Sequence, residues 1–530
     1  MRAVALGDLI YALLQRQQAT IMAIIKRLTQ LANAVFCGVF SLSKKMIIGL
    51  LILLAVFFIG RVYESQQGPA LHRWHTWVPD EMTAADIDKA TFAEYLAKED
   101  ALFRAMKANV TDKITPEEAT PLNRYYAGSL VYPGKFARDW NRSYVLMPAG
   151  QPRGAVVLLH GLTDTPYSLK SIAEDYQQQG FVAVAPRLPG HGTVPAALTS
   201  VDWEDWLAAT RLAVREATRL AGPTMPLHLV GFSNGGALAM KYSLDSLDDN
   251  RLRKPQQIIL LSPMIGVTAF ARFAGLAGLP SIFPAFAKAA WLGIVPEFNP
   301  FKYNSFPVKA ARQSYLLTQA LQRQIIQDAR SHKLDELPPV LTFQSVMDST
   351  VSTRAVVQSL YNHLKDNGSE LVIFDINQAV SFRPLFRRSS WTAAATLLPA
   401  RPRRYTTSVI TNASESALDT VARITPAGQE KEIIEPLNIR YPQEMYSLSH
   451  VALPFPVSDS LYGSQPADEK QYGISFGTLS MRGESSALIV GLESLMRATS
   501  NPFFPYLLER INHNIACSHQ PDVVQCLRSL

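Results

Sequence analysis

Gly231-Phe232-Ser233-Asn234-Gly235 decides the reading of this chain. It follows Leu227-His228-Leu229-Val230, a short strand-like run, and precedes Gly236-Ala237-Leu238-Ala239-Met240-Lys241-Tyr242, which reads as a helix. A G-x-S-x-G between a strand and a helix is a nucleophile elbow. The two glycines remove side chains where the turn is too tight for a Cβ, and the serine hydroxyl stands at the end of the sheet.

A lone hydroxyl is a poor nucleophile near neutral pH. It needs an imidazole to take its proton, and the imidazole needs a carboxylate to fix its tautomer. Pro339-Val340-Leu341-Thr342-Phe343-Gln344-Ser345 has a buried-strand pattern, and Val346-Met347-Asp348-Ser349-Thr350-Val351 leaves its end with Asp348 as the expected acid. Asp375 and Asp459 compete for that role and otherwise read as strand-end or turn carboxylates. Downstream, Tyr446-Ser447-Leu448-Ser449-His450-Val451 places His450 in a loop, completing the order Ser, Asp, His. His160 and His191 also lie in loops near the expected site, but they precede the serine and read as turn-stabilising hydrogen bonders. Ala155-Val156-Val157-Leu158-Leu159 is a strand without a polar side chain, and it ends in His160-Gly161-Leu162-Thr163-Asp164. That loop and the residue after the serine are where an oxyanion hole is expected, which assigns the backbone N–H groups of Leu162 and Asn234.

At this point the chain resembles the α/β-hydrolase superfamily. Within it, the nearest likeness is to the carboxylesterase, monoacylglycerol lipase and proline iminopeptidase serine hydrolases. It runs through Leu158-Leu159-His160-Gly161, Pro189-Gly190-His191-Gly192, the helix start at Asp202-Trp203, the elbow, the turn at Asp348 and Ser449-His450, over roughly residues 140–510. The resemblance implies a mostly parallel sheet with helices on both faces, a helical cap, and ester chemistry through Ser233, His450 and Asp348. A serine rather than an aspartate at the elbow argues against the dehalogenase and epoxide hydrolase branches. No cofactor and no metal is implied.

The formal charge of +7 does not mark a nucleic-acid partner. Residues 1–62 carry Arg2, Arg16, Lys26, Arg27, Lys44, Lys45 and Arg61 against Asp8, so the remainder is near neutral. The basic residues frame an apolar run from Met46 to Gly60. This is shorter than the ~20 residues that span a bilayer comfortably, although Arg61 can snorkel and let Val62 and Tyr63 extend it. The run reads as an uncleaved signal anchor, with a cleaved signal and a buried core helix as alternatives. The charge before it places the N-terminus in the cytoplasm and everything after it across the membrane, in the periplasm if the source is bacterial. Residues 1–43 are basic and amphipathic. They read either as a surface-lying stretch or as sequence upstream of a start at Met22 or Met46. Cys517 and Cys526 read as a disulfide, with a zinc site using His513 and His519, or free thiols, as alternatives.

The expected organisation is a basic segment over 1–43, a transmembrane anchor over 44–63, and a linker with helices over 64–140. The core occupies 141–263 and 338–377, interrupted by a cap over 264–337. An insertion over 378–446 precedes a C-terminal part over 447–530. In the linker, His72, Arg73, Trp74, His75 and Trp77 are expected at the membrane interface. The cap holds Phe270, Phe273, Leu276, Leu279, Phe283, Phe286, Trp291 and Phe298, a density suited to covering an acyl pocket. The insertion holds a strand-like Tyr405 to Thr411 and Arg383, Arg387, Arg388, Arg401, Arg403 and Arg404, which read as solvated loop arginines or a face for anionic headgroups. The function expected is hydrolysis of small-molecule or lipid esters. A peptidase or acyltransferase with the same triad, and a non-catalytic binding protein on the same fold, stand as alternatives.

Overall fold

The computed structural model describes residues 2–266, 278–380, 385–479 and 496–529. The chain divides into two compact units, Met1–Gln67 and Gly68–Leu530.

The first unit is one helix, Arg2–Gln67, so the basic segment and the apolar run that follows are continuous. The sequence has no proline before Pro69, and Gly68-Pro69 stands where the helix stops. Within it, Lys44–Gln67 is long and apolar enough to cross a membrane, with a mean hydropathy of 2.5.

The second unit is built on a ten-stranded sheet. Twelve strands are described: β1 (Tyr144–Leu146), β2 (Gly154–Leu159), β3 (Phe181–Ala185), β4 (Leu227–Phe232), β5 (Gln257–Leu261), β6 (Trp291–Gly293), β7 (Phe306–Pro307), β8 (Val340–Ser345), β9 (Glu370–Phe374), β10 (Thr406–Asn412), β11 (Asp419–Thr425) and β12 (Ile433–Arg440). The sheet runs β1-β3-β2-β4-β5-β8-β9-β10-β11-β12, and β6 pairs with β7 apart from it. Strands β3 to β10 in that order are parallel neighbours, while β1, β11 and β12 join antiparallel.

Strands β2, β4, β5, β8 and β9 are buried along their whole length, as a parallel sheet covered on both faces requires. Their side chains alternate between two cores. Ala155, Val157 and Leu159 pack on one side with Leu212, Leu238 and Leu317, from helices Trp203–Ala221, Asn234–Asp248 and Val308–Arg330. Val156 and Leu158 pack on the other with Tyr176 and Leu507, from helices Lys170–Gln178 and Phe504–Cys517.

Three expectations are corrected by this architecture. Much of 378–446 is not an excursion from the sheet but its continuation. Strand β10 lies parallel to β9 with Thr406 opposite Glu370, and β11 and β12 turn back antiparallel. The last two strands escape a search for apolar runs because they alternate, and β12 is an exposed edge carrying Pro436. Arg401 and Arg404 are exposed, as expected of solvated arginines, and pair with Glu432 at 2.7 Å and with the Asn362 carbonyl at 2.6 Å, while the half-buried Arg403 donates to Thr407 Oγ1 at 2.8 Å. Arg387 and Arg388 are exposed, and Arg383 lies outside the described residues.

The second correction concerns residues 72–77. Trp74 and His75 are core residues: Trp74 stacks on Tyr125 with centroids 5.2 Å apart, and His75 meets Trp291 edge to face at 4.9 Å. Their partners are remote in sequence, so an aromatic cluster after an apolar run looked interfacial. The chain that follows is tied down by Arg187, just beyond β3, which bridges Glu81 through two bonds of 2.8 and 2.9 Å and Glu99 at 3.2 Å, with the three side chains no more than 6% exposed.

Third, the cap aromatics do not form one lining. Trp291 is buried, Phe286 and Phe298 are half-buried, Phe283 is 63% exposed, and Phe270, Phe273 and Leu276 lie outside the described residues. At the C-terminus, Cys517 and Cys526 form a disulfide. His513 Nε2 lies 3.6 Å from Cys517 Sγ, while His519 packs on Phe181.

Candidate active site

Ser233 sits between β4 and the helix beginning at Asn234, with φ 54° and ψ −114°. A positive φ is costly for a residue with a Cβ, and here the surroundings impose it. Ser233 N–H donates to the Leu261 carbonyl at 3.0 Å, and its carbonyl accepts from Gly236 at 3.0 Å and Met264 at 2.9 Å. A Cβ at Gly231 would overlap the Gly235 carbonyl, and one at Gly235 would overlap the Leu159 carbonyl, so both glycines of the motif are required sterically.

The loop after β2 lies directly against the elbow, since a Cβ at Gly161 would be 3.4 Å from Ser233 Cβ. The N–H groups of Leu162 and Asn234 have no hydrogen-bond acceptor among the described residues. For Asn234 the cause is its place as the first residue of a helix, where N–H groups have no intrahelical partner and the helix dipole favours negative charge. His160 shapes this loop. Its Nδ1 faces the Gly161 carbonyl at 2.9 Å and its Nε2 accepts from Leu188 N–H at 3.0 Å. Both ring nitrogens are thereby used, and burial, reinforced by the nearby His191 ring, holds its pKa well below the ordinary value. His191 faces the Pro189 carbonyl at 3.1 Å, and burial pushes it down to about 3. Both histidines are therefore neutral hydrogen bonders of the turns.

Asp348 and His450 meet at 2.8 Å between Oδ2 and Nδ1, with the two side chains 0% and 5% exposed. The other carboxylate oxygen accepts from Thr350 N–H at 2.8 Å and Val351 N–H at 3.0 Å, and Gln344 Nε2 donates to Oδ2 at 3.1 Å. Burial alone would raise the Asp348 pKa, but His450 and these hydrogen bonds outweigh it and hold the carboxyl below its ordinary value. An ionised Asp348 accepts a hydrogen bond from the Nδ1–H of His450 and leaves the Nε2 lone pair available. The imidazole lies beside the elbow, its ring 5.2 Å from that of Phe232.

The competing carboxylates are occupied elsewhere. Asp375 accepts from Ile376 N–H at 2.9 Å and Thr411 Oγ1 at 3.2 Å, and Asp459 from Tyr167 at 2.9 Å and from the N–H groups of Leu461 and Tyr462.

Residues 378–446 separate the last of the expected strands from His450, yet the histidine loop is fixed. Asn377 N–H donates to the Tyr446 carbonyl at 2.8 Å, and its side chain to the carbonyls of Pro442 and Met445, which ties the two ends of the three-strand extension together. Ser345 Oγ then ties the end of β8 to the Leu448 carbonyl at 2.6 Å. Sequence reasoning missed Gln344, Ser345 and Asn377. The available signal was a polar residue at each place where an otherwise apolar strand ends.

Residues 150–375 match the model of the family described as serine aminopeptidase, S33. This chain carries an α/β-hydrolase core. A thermostable monoacylglycerol lipase from Bacillus sp. (strain H-257) is 35% identical to it over 86 residues, 16% of this chain. The chain spans about a third of that relative's length, 33%. Among solved structures, one of the metagenome-derived lipolytic enzymes LipS and LipT is 21% identical, with 45% of this chain and 88% of that one covered at a TM-score of 0.36. A soluble variant of monoglyceride lipase from Saccharomyces cerevisiae, bound to a substrate analogue, is 14% identical, with 44% and 81% covered at 0.34.

Proposed function

We propose that this hydrolase cleaves carboxylic esters, of medium or long acyl chain or carried on a lipid, from a position anchored in a membrane. Ser233 Oγ attacks the acyl carbon while His450 Nε2 takes its proton. The N–H groups of Leu162 and Asn234 hold the oxyanion, and His450 returns the proton to the leaving alcohol. Asp348 keeps the imidazole oriented and stabilises its cationic form. Water activated by the same histidine then releases the acid from the acyl-enzyme. The observation carrying this reading is the buried 2.8 Å contact of His450 with Asp348 beside a strained Ser233. The monoacylglycerol lipase among its relatives supports an ester substrate.

The anchor is the apolar part of the first helix, Lys44–Gln67, preceded by basic residues that hold the N-terminus in the cytoplasm and leave the hydrolase on the other side. Retention in the membrane fraction through a carbonate wash tests it. The segment 264–337 acts as the cap.

The decisive experiment is labelling by a fluorophosphonate probe. The native protein should label and Ser233→Ala should not, with ester hydrolysis falling on the order of 10⁶-fold. Persistent labelling of the variant would identify another nucleophile. A second reading, cleavage of an aminoacyl amide, is favoured by the description of the matched family as an aminopeptidase. Release of amine from such an amide faster than alcohol from the matching ester would establish it.

A further inference from the structure

The turn that carries Leu162 is held in a conformation its own residues do not favour. Asp164 N–H donates to the Gly161 carbonyl at 3.3 Å, closing a turn over Gly161-Leu162-Thr163-Asp164, and Thr163 lies third in it at φ 62°. A positive φ at that place suits glycine or asparagine, and it is costly for a residue branched at Cβ. Such a conformation persists only where the surroundings impose it.

A short strap in the cap segment, residues 299–303, imposes it. Tyr303 N–H donates to the Thr163 carbonyl at 2.8 Å, and Thr165 Oγ1 donates to the Phe301 carbonyl at 2.8 Å. One bond runs from the strap to the turn and the other back to the strap, on either side of Asp164. The strap has anchors of its own elsewhere. Asn299 Nδ2 donates to Tyr462 Oη at 2.7 Å while Asn299 Oδ1 accepts from Phe301 N–H at 3.0 Å, and Tyr303 Oη donates to the Gly190 carbonyl at 3.1 Å. The Phe301 ring stacks on Tyr167 with centroids 4.4 Å apart. Thr165, Asn299, Phe301 and Tyr303 are all buried, so these bonds are shielded from competing water.

We propose that Thr165 is a positioning residue for the oxyanion hole: its hydroxyl holds the strap against the strained turn and keeps the Leu162 N–H directed at the oxyanion. This rests on the reading of Ser233 as the nucleophile and Leu162 as an oxyanion donor. A donor to the oxyanion acts on charge that develops only in the transition state, so loosening the turn lowers kcat and leaves KM near its value. Full-length Thr165→Val, which keeps the shape and loses the hydroxyl, would be compared with the native protein in two assays. One is hydrolysis of nitrophenyl octanoate, and the other is inhibition by an octyl trifluoromethyl ketone, which forms a tetrahedral oxyanion on the serine. In Thr165→Val, kcat should fall about tenfold at unchanged KM and Ki should rise by a similar factor. Thr165→Ser, which keeps the hydroxyl, should stay within about threefold of the native protein in both. Asn299→Leu frees the other end of the strap and should give the pattern of Thr165→Val, which covers the case where the latter does not fold. A rise in KM at unchanged kcat, a lower kcat with an unchanged Ki, or native values of both would overturn the proposal. Loss of fluorophosphonate labelling in Ser233→Ala secures the nucleophile without reference to the strap, so native kinetics in Thr165→Val would then sink this inference alone.

Discussion

The two sides of the candidate site are held in different ways. On the serine side, Ser233 is fixed by main chain: the Leu261 carbonyl, the N–H groups of Gly236 and Met264, the Leu159 carbonyl that excludes a side chain at Gly235, and the loop at Gly161. On the histidine side, His450 follows the extension of the sheet through β10, β11 and β12, and hydrogen bonds from the Asn377 N–H and side chain and from Ser345 Oγ return it to Asp348. One side is positioned by main-chain sterics and the other by side-chain tethers. The histidine side should therefore be the easier to disturb without unfolding the protein.

The sharpest test of that difference is kinetic. His450→Ala should lose about 10⁶ in kcat, as much as losing the serine, and Asp348→Asn about 10⁴, because the imidazole would then carry its proton on the wrong nitrogen. Single-turnover release of nitrophenol from an activated ester measures both. Near-normal turnover of His450→Ala would break the assignment of this side.

A second test separates the two kinds of cap aromatic. Trp291→Ala removes a buried ring packed on His75 and should cost about 3–5 kcal/mol in urea unfolding. Equal destabilisation by Trp291→Ala and by a change at the exposed Phe283 would remove the distinction.

Stability should also depend on pH in a direction the buried histidines set. His75, His191 and His228 are each pushed to about 3, burial being the first cause in every case. The unfolded chain takes up these protons near pH 6.5 and the folded one only near 3, so the stabilisation is complete above about 6.5 and declines as the pH falls. Asp348 acts in the same sense at lower pH, since its depressed carboxyl favours the folded state until the pH falls through the folded value. Melting temperatures between pH 7.5 and 4.5 should fall steadily, and His228→Gln should flatten the profile. A flat profile for the native chain would contradict it.

The smallest effect is expected at Phe283, which is largely exposed. Phe283→Ala should change stability by no more than about 0.5 kcal/mol. It should lower kcat/KM for esters of long acyl chain more than for acetates, since each buried methylene contributes ~0.8 kcal/mol. A uniform change across chain lengths would take Phe283 out of substrate contact.

How far these features could be read in advance follows the same division. The strands around Ser233 were legible because a parallel strand covered on both faces must be an uninterrupted apolar run, and the elbow because a turn that tight admits only glycine at Gly231 and Gly235. Strands β11 and β12 were not, since one face meets solvent and their pattern resembles that of a polar loop. Asp348 and His450 were expected from chain order and lie 2.8 Å apart, but Asn377 and Ser345 act through partners remote in sequence. Trp74 and His75 misled for the same reason, because burial is a property of the partner and not of the residue.

Arg187 has a practical consequence for anyone shortening this chain. Its two carboxylate partners, Glu81 and Glu99, lie well before residue 150, where the family match begins. A fragment trimmed to the matched region would lose both carboxylates that pair with this guanidinium, together with the segments that cover it. Glu370, inside the match, would likewise lose Arg510, beyond its other end. A protease nicking the chain between Glu99 and Ser143 should leave both halves associated, held together by that buried arginine.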